Sequence, residues 1–248
     1  MMRQCVRGCA FGIALVVGAL PSVARGQDAP PPPVQFTGDL GFVNTAGNSE
    51  VTTLNVGERL TYRTDGWVLS EFFNIIYGKT DGTESTSLWK AGVRVDRDIT
   101  PRLAAYGFAG WERNKFAGIS RRFDEGVGLA YKVLTGPKSV LDFEAGVALN
   151  QQRSTLPGAA DNNFTSGRAA GLYRYNLSES AFISQLVEFL PNFELSDDYR
   201  VNSETALVAS LSKSIALKLG YVIRFDNLPE PGFKDTDRIF TSGIQVNF

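Results

Sequence analysis

Histidine is absent from the 248-residue sequence, and cysteine is nearly so, with two residues. Histidine is the most common general base and metal ligand in proteins, so enzymes that depend on a histidine are excluded. Cys5 and Cys9 both lie in an N-terminal segment that we expect to be removed. The remaining chain would then contain no disulfide, no thiolate nucleophile and no cysteine-bound metal.

After the N-terminal segment, no apolar run approaches the ~20 residues that a membrane-spanning helix needs. The N-terminal run, residues 9–20, is also too short, and it follows the basic residues Arg3 and Arg7. Small residues at Ala24 and Gly26 fit a cleavage site. We therefore predict a secretory signal peptide over residues 1–26, followed by a Pro-rich periplasmic spacer over residues 27–35.

Excess positive charge is also lacking. Removal of Arg3, Arg7 and Arg25 leaves 22 of the 25 basic residues against 26 acidic ones, a net charge of −4. No basic stripe is present, so we expect no nucleic-acid partner.

The C-terminal ten residues alternate between apolar and polar side chains. Phe248, Val246, Ile244 and Phe240 fall on one face, and polar residues fall on the other. A period of two indicates a β-strand with one apolar face. A terminal aromatic in this register resembles the signal by which outer-membrane β-barrels are recognised, which predicts the barrel assembly machinery as a partner during biogenesis.

The same alternation recurs from residue 36 to the end of the chain. It predicts an all-β protein, a transmembrane antiparallel up-and-down β-barrel of about 12 strands over residues 36–248, in the bacterial outer membrane and in contact with its lipid. The predicted strands are 36–44, 51–63, 67–79, 86–97, 102–113, 122–134, 139–152, 164–176, 181–190, 199–211, 215–226 and 237–248. Their connections are predicted to alternate between longer outer loops and short periplasmic turns, with 80–85 among the longer loops and 153–163 the longest.

Charged residues on the polar faces are predicted to line the lumen, because a charge at the lipid midplane costs ~2–4 kcal/mol. The predicted lumen-lining set is Lys90, Arg94, Asp96, Arg122, Asp124, Asp142, Glu144, Arg168, Arg174, Arg200, Glu204, Lys218, Arg224 and Asp226. Glu58 is an exception, since it shares a face with apolar residues, and the facing of strands three, five and nine is ambiguous. Small residues at Gly126, Gly128 and Ala130 either leave room in the lumen or let another group approach closely.

Several short segments resemble a known family in their order and spacing. They are Ala46-Gly47-Asn48, Asp65-Gly66-Trp67, Glu112-Arg113, Phe116-Ala117-Gly118, Arg122, Gly126-Val127-Gly128-Leu129-Ala130-Tyr131, Glu188-Phe189-Leu190-Pro191 and Tyr199-Arg200-Val201-Asn202-Ser203-Glu204. Together they resemble the outer-membrane family called domain of unknown function 481, whose members are often labelled salt-induced outer membrane proteins. The resemblance implies an outer-membrane barrel of unsettled activity, with a link to salt or osmotic stress. It carries no catalytic residues.

Three functions remain open from the sequence. The first, which we favour, is a small constricted pore for small solutes or ions, because twelve strands fall between filled and clearly open barrels. The second is a closed structural or surface-interaction barrel that supports the envelope under osmotic stress. The third is an enzyme built on paired carboxylates such as Asp142 and Glu144, although residues two apart on a strand are usually just neighbouring polar positions. We predict no catalysis, no cofactor and no metal.

Arg200 and Glu204 lie on one face of the tenth predicted strand, about 13 Å apart along it, so they should not pair with each other. Each needs partners on other strands, and Arg122 and Asp124 are the predicted candidates.

Overall fold

The computed structural model describes residues 32–45 and 51–248. Twelve strands account for most of them. They are β1 Val34–Thr45, β2 Val51–Thr64, β3 Trp67–Thr80, β4 Thr83–Asp98, β5 Leu103–Asn114, β6 Ile119–Thr135, β7 Ser139–Ser154, β8 Asn162–Asn176, β9 Ala181–Pro191, β10 Tyr199–Ser210, β11 Ile215–Asp226 and β12 Thr236–Asn247. A single 3-10 turn, Lys115–Ala117, joins β5 to β6.

The strands form one closed antiparallel barrel in which each strand pairs with its neighbours in sequence. Closure occurs where β1 pairs with β12, in a register that sets Thr37 opposite Asn247. Phe36 and Phe248 extend this seam by exchanging two backbone hydrogen bonds of 2.9 Å. The seam is short, covering Thr37–Leu40 of β1, but it closes the sheet into a barrel, as a strand-built membrane protein requires.

The twelve-stranded barrel predicted from the sequence is confirmed, and most strand ends lie within two residues of their predicted positions. β1 begins at Val34, so residues 34 and 35 belong to the sheet and not to the spacer. β4 and β6 each begin three residues earlier than predicted. The predicted signal peptide, the spacer up to residue 31 and the outer loop 46–50 lie outside the described residues.

The predicted alternation of long and short connections is wrong at one point. β3 and β4 are joined by the two residues Asp81 and Gly82, both with positive φ, and not by a loop over 80–85. An Asp-Gly pair of this kind makes a tight hairpin that lets both strands continue to the turn. The longest connection is 227–235 and not the one after β7, which spans only 155–161.

The two faces of the sheet differ sharply in side chains. On β11, Leu217 and Leu219 are 48% and 43% exposed, whereas Ala216 and Lys218 between and beside them are buried. Exposed aliphatic and aromatic residues recur around the outside of the barrel, and this apolar belt is the lipid-facing surface. Two carboxylates, Glu58 and Glu71, interrupt the belt on neighbouring strands β2 and β3.

Aromatic residues near the short turns are among the exposed ones: Tyr62, Trp67, Tyr131 and Tyr173. Their position at one rim fits an interfacial aromatic girdle. Among the residues that the structure describes, none belongs to a helix with the length and apolar character needed to cross a membrane.

Candidate functional site in the barrel lumen

All fourteen residues predicted to line the lumen lie on the inner face of the barrel. Each falls in the inward register of its strand and is at least partly buried. Their contacts divide them into three groups, which are a bridge in the outer half of the barrel, a network near its middle and a set of residues with individual environments.

The bridge is centred on Glu112 of β5. Its carboxylate accepts from Lys90 of the neighbouring strand β4 at 3.0 Å and from Arg224 of β11 at 3.1 Å. Five strands separate β5 from β11 in either direction around the barrel, so the Arg224–Glu112 contact crosses the lumen. The lumen is therefore interrupted at this level by charged side chains.

The network is centred on Glu144 of β7. This carboxylate pairs with Arg94 of β4 at 2.9 Å and with Arg168 of β8 at 2.5 Å. Arg94 also pairs with Asp96, and Arg168 pairs with Glu188 of β9 at 2.6 Å. Alternating charges of this kind satisfy each other inside a protein, where an unpaired charge is costly.

Tyr106 of β5 lies at the centre of this network. Arg94 stacks over its ring at 4.1 Å from the centroid, and Arg168 donates to its hydroxyl at 3.1 Å. The ring lies over two glycines, since a Cβ on Gly128 would come within 2.5 Å of the hydroxyl oxygen. The small residues of β6 were expected either to leave room in the lumen or to let another group approach closely. The structure shows the second, because the Tyr106 ring packs against Gly128.

No ion pair or hydrogen bond joins Arg200 or Glu204 to its predicted partners in the described part of the chain. Arg200 does interact electrostatically with Asp124, but it donates its hydrogen bond to Asn150 of β7 at 2.9 Å, and Arg122 donates to Gln152 rather than to Glu204. Arg200 thus reaches an amide three strands away, and Arg122 reaches one on the neighbouring strand. Oε1 of Glu204 is buried and has no hydrogen-bond partner among the described residues.

The other predicted residues have individual environments. Lys218 pairs with Asp39 of β1 at 2.7 Å, and Arg174 lies 3.8 Å above the centre of the Phe182 ring. Asp226 accepts from the backbone N–H of Leu228 at 3.1 Å. Asp124 and Asp142 each have one buried carboxylate oxygen without a hydrogen-bond partner in the described part of the chain.

Sequence reasoning missed the carboxylates that organise the site, Glu112 and Glu188, along with Asp39. Glu112 and Glu188 lie on β5 and β9, the strands whose alternation is weak because Tyr106, Phe108 and Phe182 face inward. The one available signal was the excess of bases over acids in the predicted set, eight against six, which implies further inward carboxylates.

A cavity of ≈ 150 Å³ lies in the outer half of the barrel, above the Glu112 bridge. Arg122, Asp124 and Arg200 line its wall, and Pro229 and Lys234 of the 227–235 loop lie at its outer end. Gln152 donates to Glu230 of this loop at 2.8 Å, which holds the loop over the wall.

At the outer rim, an exposed ion pair joins Arg153 to Asp161 at 2.7 Å. The hydrogen bond from Arg153 lowers the pKa of the Asp161 carboxyl below its ordinary value. Within the described residues, no three Asp or Glu side chains are grouped so that they could hold a metal ion.

A family model described as "Protein of unknown function, DUF481" matches residues 38–248. The chain belongs to this family. A relative described as "Uncharacterized protein YdiY", from Escherichia coli (strain K12), is 26% identical over 214 residues, covering 84% of this chain and 82% of the relative.

Solved structures share the barrel fold of this DUF481 protein with little sequence identity. The NanC porin aligns with a TM-score of 0.50 at 8% identity, covering 86% of this chain and 97% of that one. The translocator domain of the autotransporter NalP from Neisseria meningitidis aligns with a TM-score of 0.49 at 10% identity, covering 90% of each chain. The similarity to NanC is one of fold.

Proposed function

We propose that this DUF481 protein is an outer-membrane barrel with a narrow, water-filled pore for small solutes or ions. The observation that carries the proposal is the combination of a charged bridge across the lumen with buried charged side chains in which one atom has no hydrogen-bond partner in the described residues. Arg224 and Glu112 narrow the lumen, whereas Glu204, Arg59 and Asp142 leave charged-group atoms unpaired inside it.

The unpaired groups favour a hydrated lumen over a dry one. A buried polar atom left without a hydrogen bond costs ~1–3 kcal/mol, and more when it belongs to a charged group. Oε1 of Glu204 and Nε of Arg59 are two such atoms among the described residues. Water in the lumen removes the cost, because ordered water supplies the missing hydrogen bonds. A continuous column of such water is a path for small ions.

The bridge limits what can pass. An ion pair between opposite strands can break and re-form without a change in the barrel backbone, since both side chains are long and flexible. A solute would pass Glu112 and Arg224 only by displacing one of them. We therefore expect small conductance and weak ion selectivity, because positive and negative groups line the lumen in similar numbers.

A closed structural barrel is the second candidate, favoured by the same cross-lumen bridge. In that case the bridge and the Glu144 network brace the barrel walls, and the protein supports the envelope under salt or osmotic stress. Both candidates are non-enzymatic, with no cofactor, metal or nucleic-acid partner. Both also require export by a signal peptide, insertion by the barrel assembly machinery and contact with outer-membrane lipid.

Conductance of the refolded protein in planar lipid bilayers separates the two candidates. Steady small conductance steps are expected of the pore, and a silent bilayer is expected of the closed barrel. Liposome swelling in small neutral sugars extends the measurement to uncharged solutes. The matched control is Arg153→Gln, which removes an exposed cation at the rim and leaves the lumen unchanged.

A further inference from the structure

The outer cavity contains charges of both signs that its ion pairs do not use. At its floor, Lys90 and Arg224 pair with Glu112, and Arg168 pairs with Glu188 and Glu144. Nearer the outer rim, the charged residues of the wall differ from those at the floor. Arg122, Arg200 and Asp124 line the wall, and none of them forms an ion pair among the described residues.

The positive part of the wall has spare hydrogen-bond donors. Arg122 directs Nε and Nη2 at one oxygen of Gln152, and Arg200 donates through Nη2 to Asn150 at 2.9 Å. A guanidinium group has five N–H donors, so both side chains retain several. Neutral amides take these hydrogen bonds, and Asp226, which lies opposite Arg200 in the β10–β11 register, forms no ion pair with it in the described residues. The remaining N–H groups of both arginines can therefore donate to the carboxylate of a ligand.

Several carboxylates line the cavity, among them Asp226, Asp235 and Asp237, and Asp124 is the one on β6 beside Arg122. The Oδ1 atom of Asp124 is buried and has no hydrogen-bond partner in residues 32–45 and 51–248. Asp124 lies directly opposite Asn150 in the β6–β7 register, and Asn150 gives its amide hydrogens to Ser166 and to backbone carbonyls. A donor for Asp124 must therefore come from within the cavity.

Arg122 and Asp124 share a strand and interact electrostatically, but no ion pair or hydrogen bond joins them among the described residues. They are two residues apart on β6, about 6.6 Å along it, and Arg122 is turned towards Gln152 on β7. The wall thus presents cations and carboxylates that do not bond to each other around a space of ≈ 150 Å³.

We propose that this cavity binds a small zwitterion that carries one carboxylate and one ammonium group, such as a short amino acid. Arg122 and Arg200 receive the carboxylate, and Asp124 receives the ammonium group. The inference rests on the proposed function for its link to transport, because a pore would then admit this class of solute. Binding itself requires only the outer cavity.

The first test is a ligand panel on the refolded wild-type protein, measured by isothermal titration calorimetry in detergent. Glycine, β-alanine and 4-aminobutyrate are the zwitterions, and acetate and ethylammonium each carry one of the two charges. At least one amino acid should bind about tenfold or more tighter than both single-charge compounds. Equal affinity for acetate, or no binding by any amino acid, would overturn the proposal.

The second test uses variants of the wall. Arg200→Gln and Asp124→Asn should each weaken binding of the best amino acid by about tenfold, and Arg153→Gln at the rim should leave it unchanged. Unchanged affinity in both wall variants would overturn the assignment. If a variant does not refold, the wild-type panel decides alone.

The proposed pore and the proposed binding site can be refuted independently of each other. Amino-acid binding with a silent bilayer refutes the pore and keeps the site, whereas conductance without amino-acid binding refutes the site and keeps the pore.

Discussion

Arg224 and Glu112 join opposite walls of the barrel through a hydrogen bond of 3.1 Å between Nη1 and Oε1. Five strands lie between them on either side. Lys90 reaches the other carboxylate oxygen of Glu112 at 3.0 Å, so one carboxylate pairs with two cations. Glu112 is therefore the carboxylate that pairs with both Lys90 and Arg224 in the outer half of the lumen.

Replacing Glu112 with Gln should therefore destabilise the barrel. The substitution leaves Lys90 and Arg224 inside the lumen without a counter-charge, a change that costs ~3–5 kcal/mol when the site is dry and less when water reaches it. We expect a lower thermal unfolding temperature in detergent, followed by circular dichroism. Asp161→Asn is the control, because it breaks an exposed ion pair and should leave the unfolding temperature unchanged. Equal unfolding temperatures for Glu112→Gln and the wild type would contradict the bridge.

Glu204→Gln should change the ion selectivity of the pore and leave the stability of the barrel unchanged. Oε1 of Glu204 has no partner among the described residues, so the substitution breaks no ion pair. The lumen loses one negative charge, and the pore should shift towards anions. The measurement is the reversal potential in a KCl gradient across a planar bilayer.

The control for Glu204→Gln is Glu58→Gln, since Glu58 faces outward on β2 and its charge lies outside the lumen. An identical reversal potential for Glu204→Gln and the wild type would show that Glu204 is not on the ion path.

Phe248 is expected to be needed for assembly. Its backbone exchanges two hydrogen bonds with Phe36, and its ring lies 6.4 Å from the Phe36 ring, at the seam that closes the barrel. Phe248→Asp, or deletion of the residue, should lower the yield of heat-modifiable barrel in outer-membrane fractions without blocking export. Phe116→Ala, an exposed aromatic near the opposite rim, is the matched control. Wild-type yields of heat-modifiable barrel from the Phe248 variants would show that Phe248 is not needed for assembly.

The fold was predictable from the sequence because it depends on local features. Strong alternation on strands such as β7 and β11 indicates which residues face lipid, and Asp, Gly, Pro and Ser mark the turns. The error at Asp81-Gly82 has the same local origin, since polar residues on both sides of this tight turn resemble a longer loop. Once the lipid face is known, the inward position of a charge such as Lys218 follows.

The pairing inside the lumen was not predictable, because it depends on which strands face each other across the barrel. Arg224 meets Glu112 through strand order and stagger, neither of which is encoded near either residue. The inward positions of Glu112 on β5 and Glu188 on β9 were not predicted either. On these strands the aromatic residues Tyr106 and Phe182 occupy inward positions that sequence patterns assign to polar residues. Arg200 likewise reaches Asn150, three strands away, in place of a charged neighbour.

The central claim is that the Glu112–Arg224 bridge constricts a water-filled pore. Single-channel conductance of the double variant Glu112→Ala, Arg224→Ala tests it most directly, beside the wild type and Arg153→Ala. Removing both members of the pair deletes the obstruction and leaves Lys90 as the one cation of the bridge without its carboxylate. We expect small conductance steps from the wild type and Arg153→Ala, and clearly larger steps from the double variant. Bilayers that stay silent with all three proteins, or a double variant whose conductance equals that of the wild type, would contradict the claim.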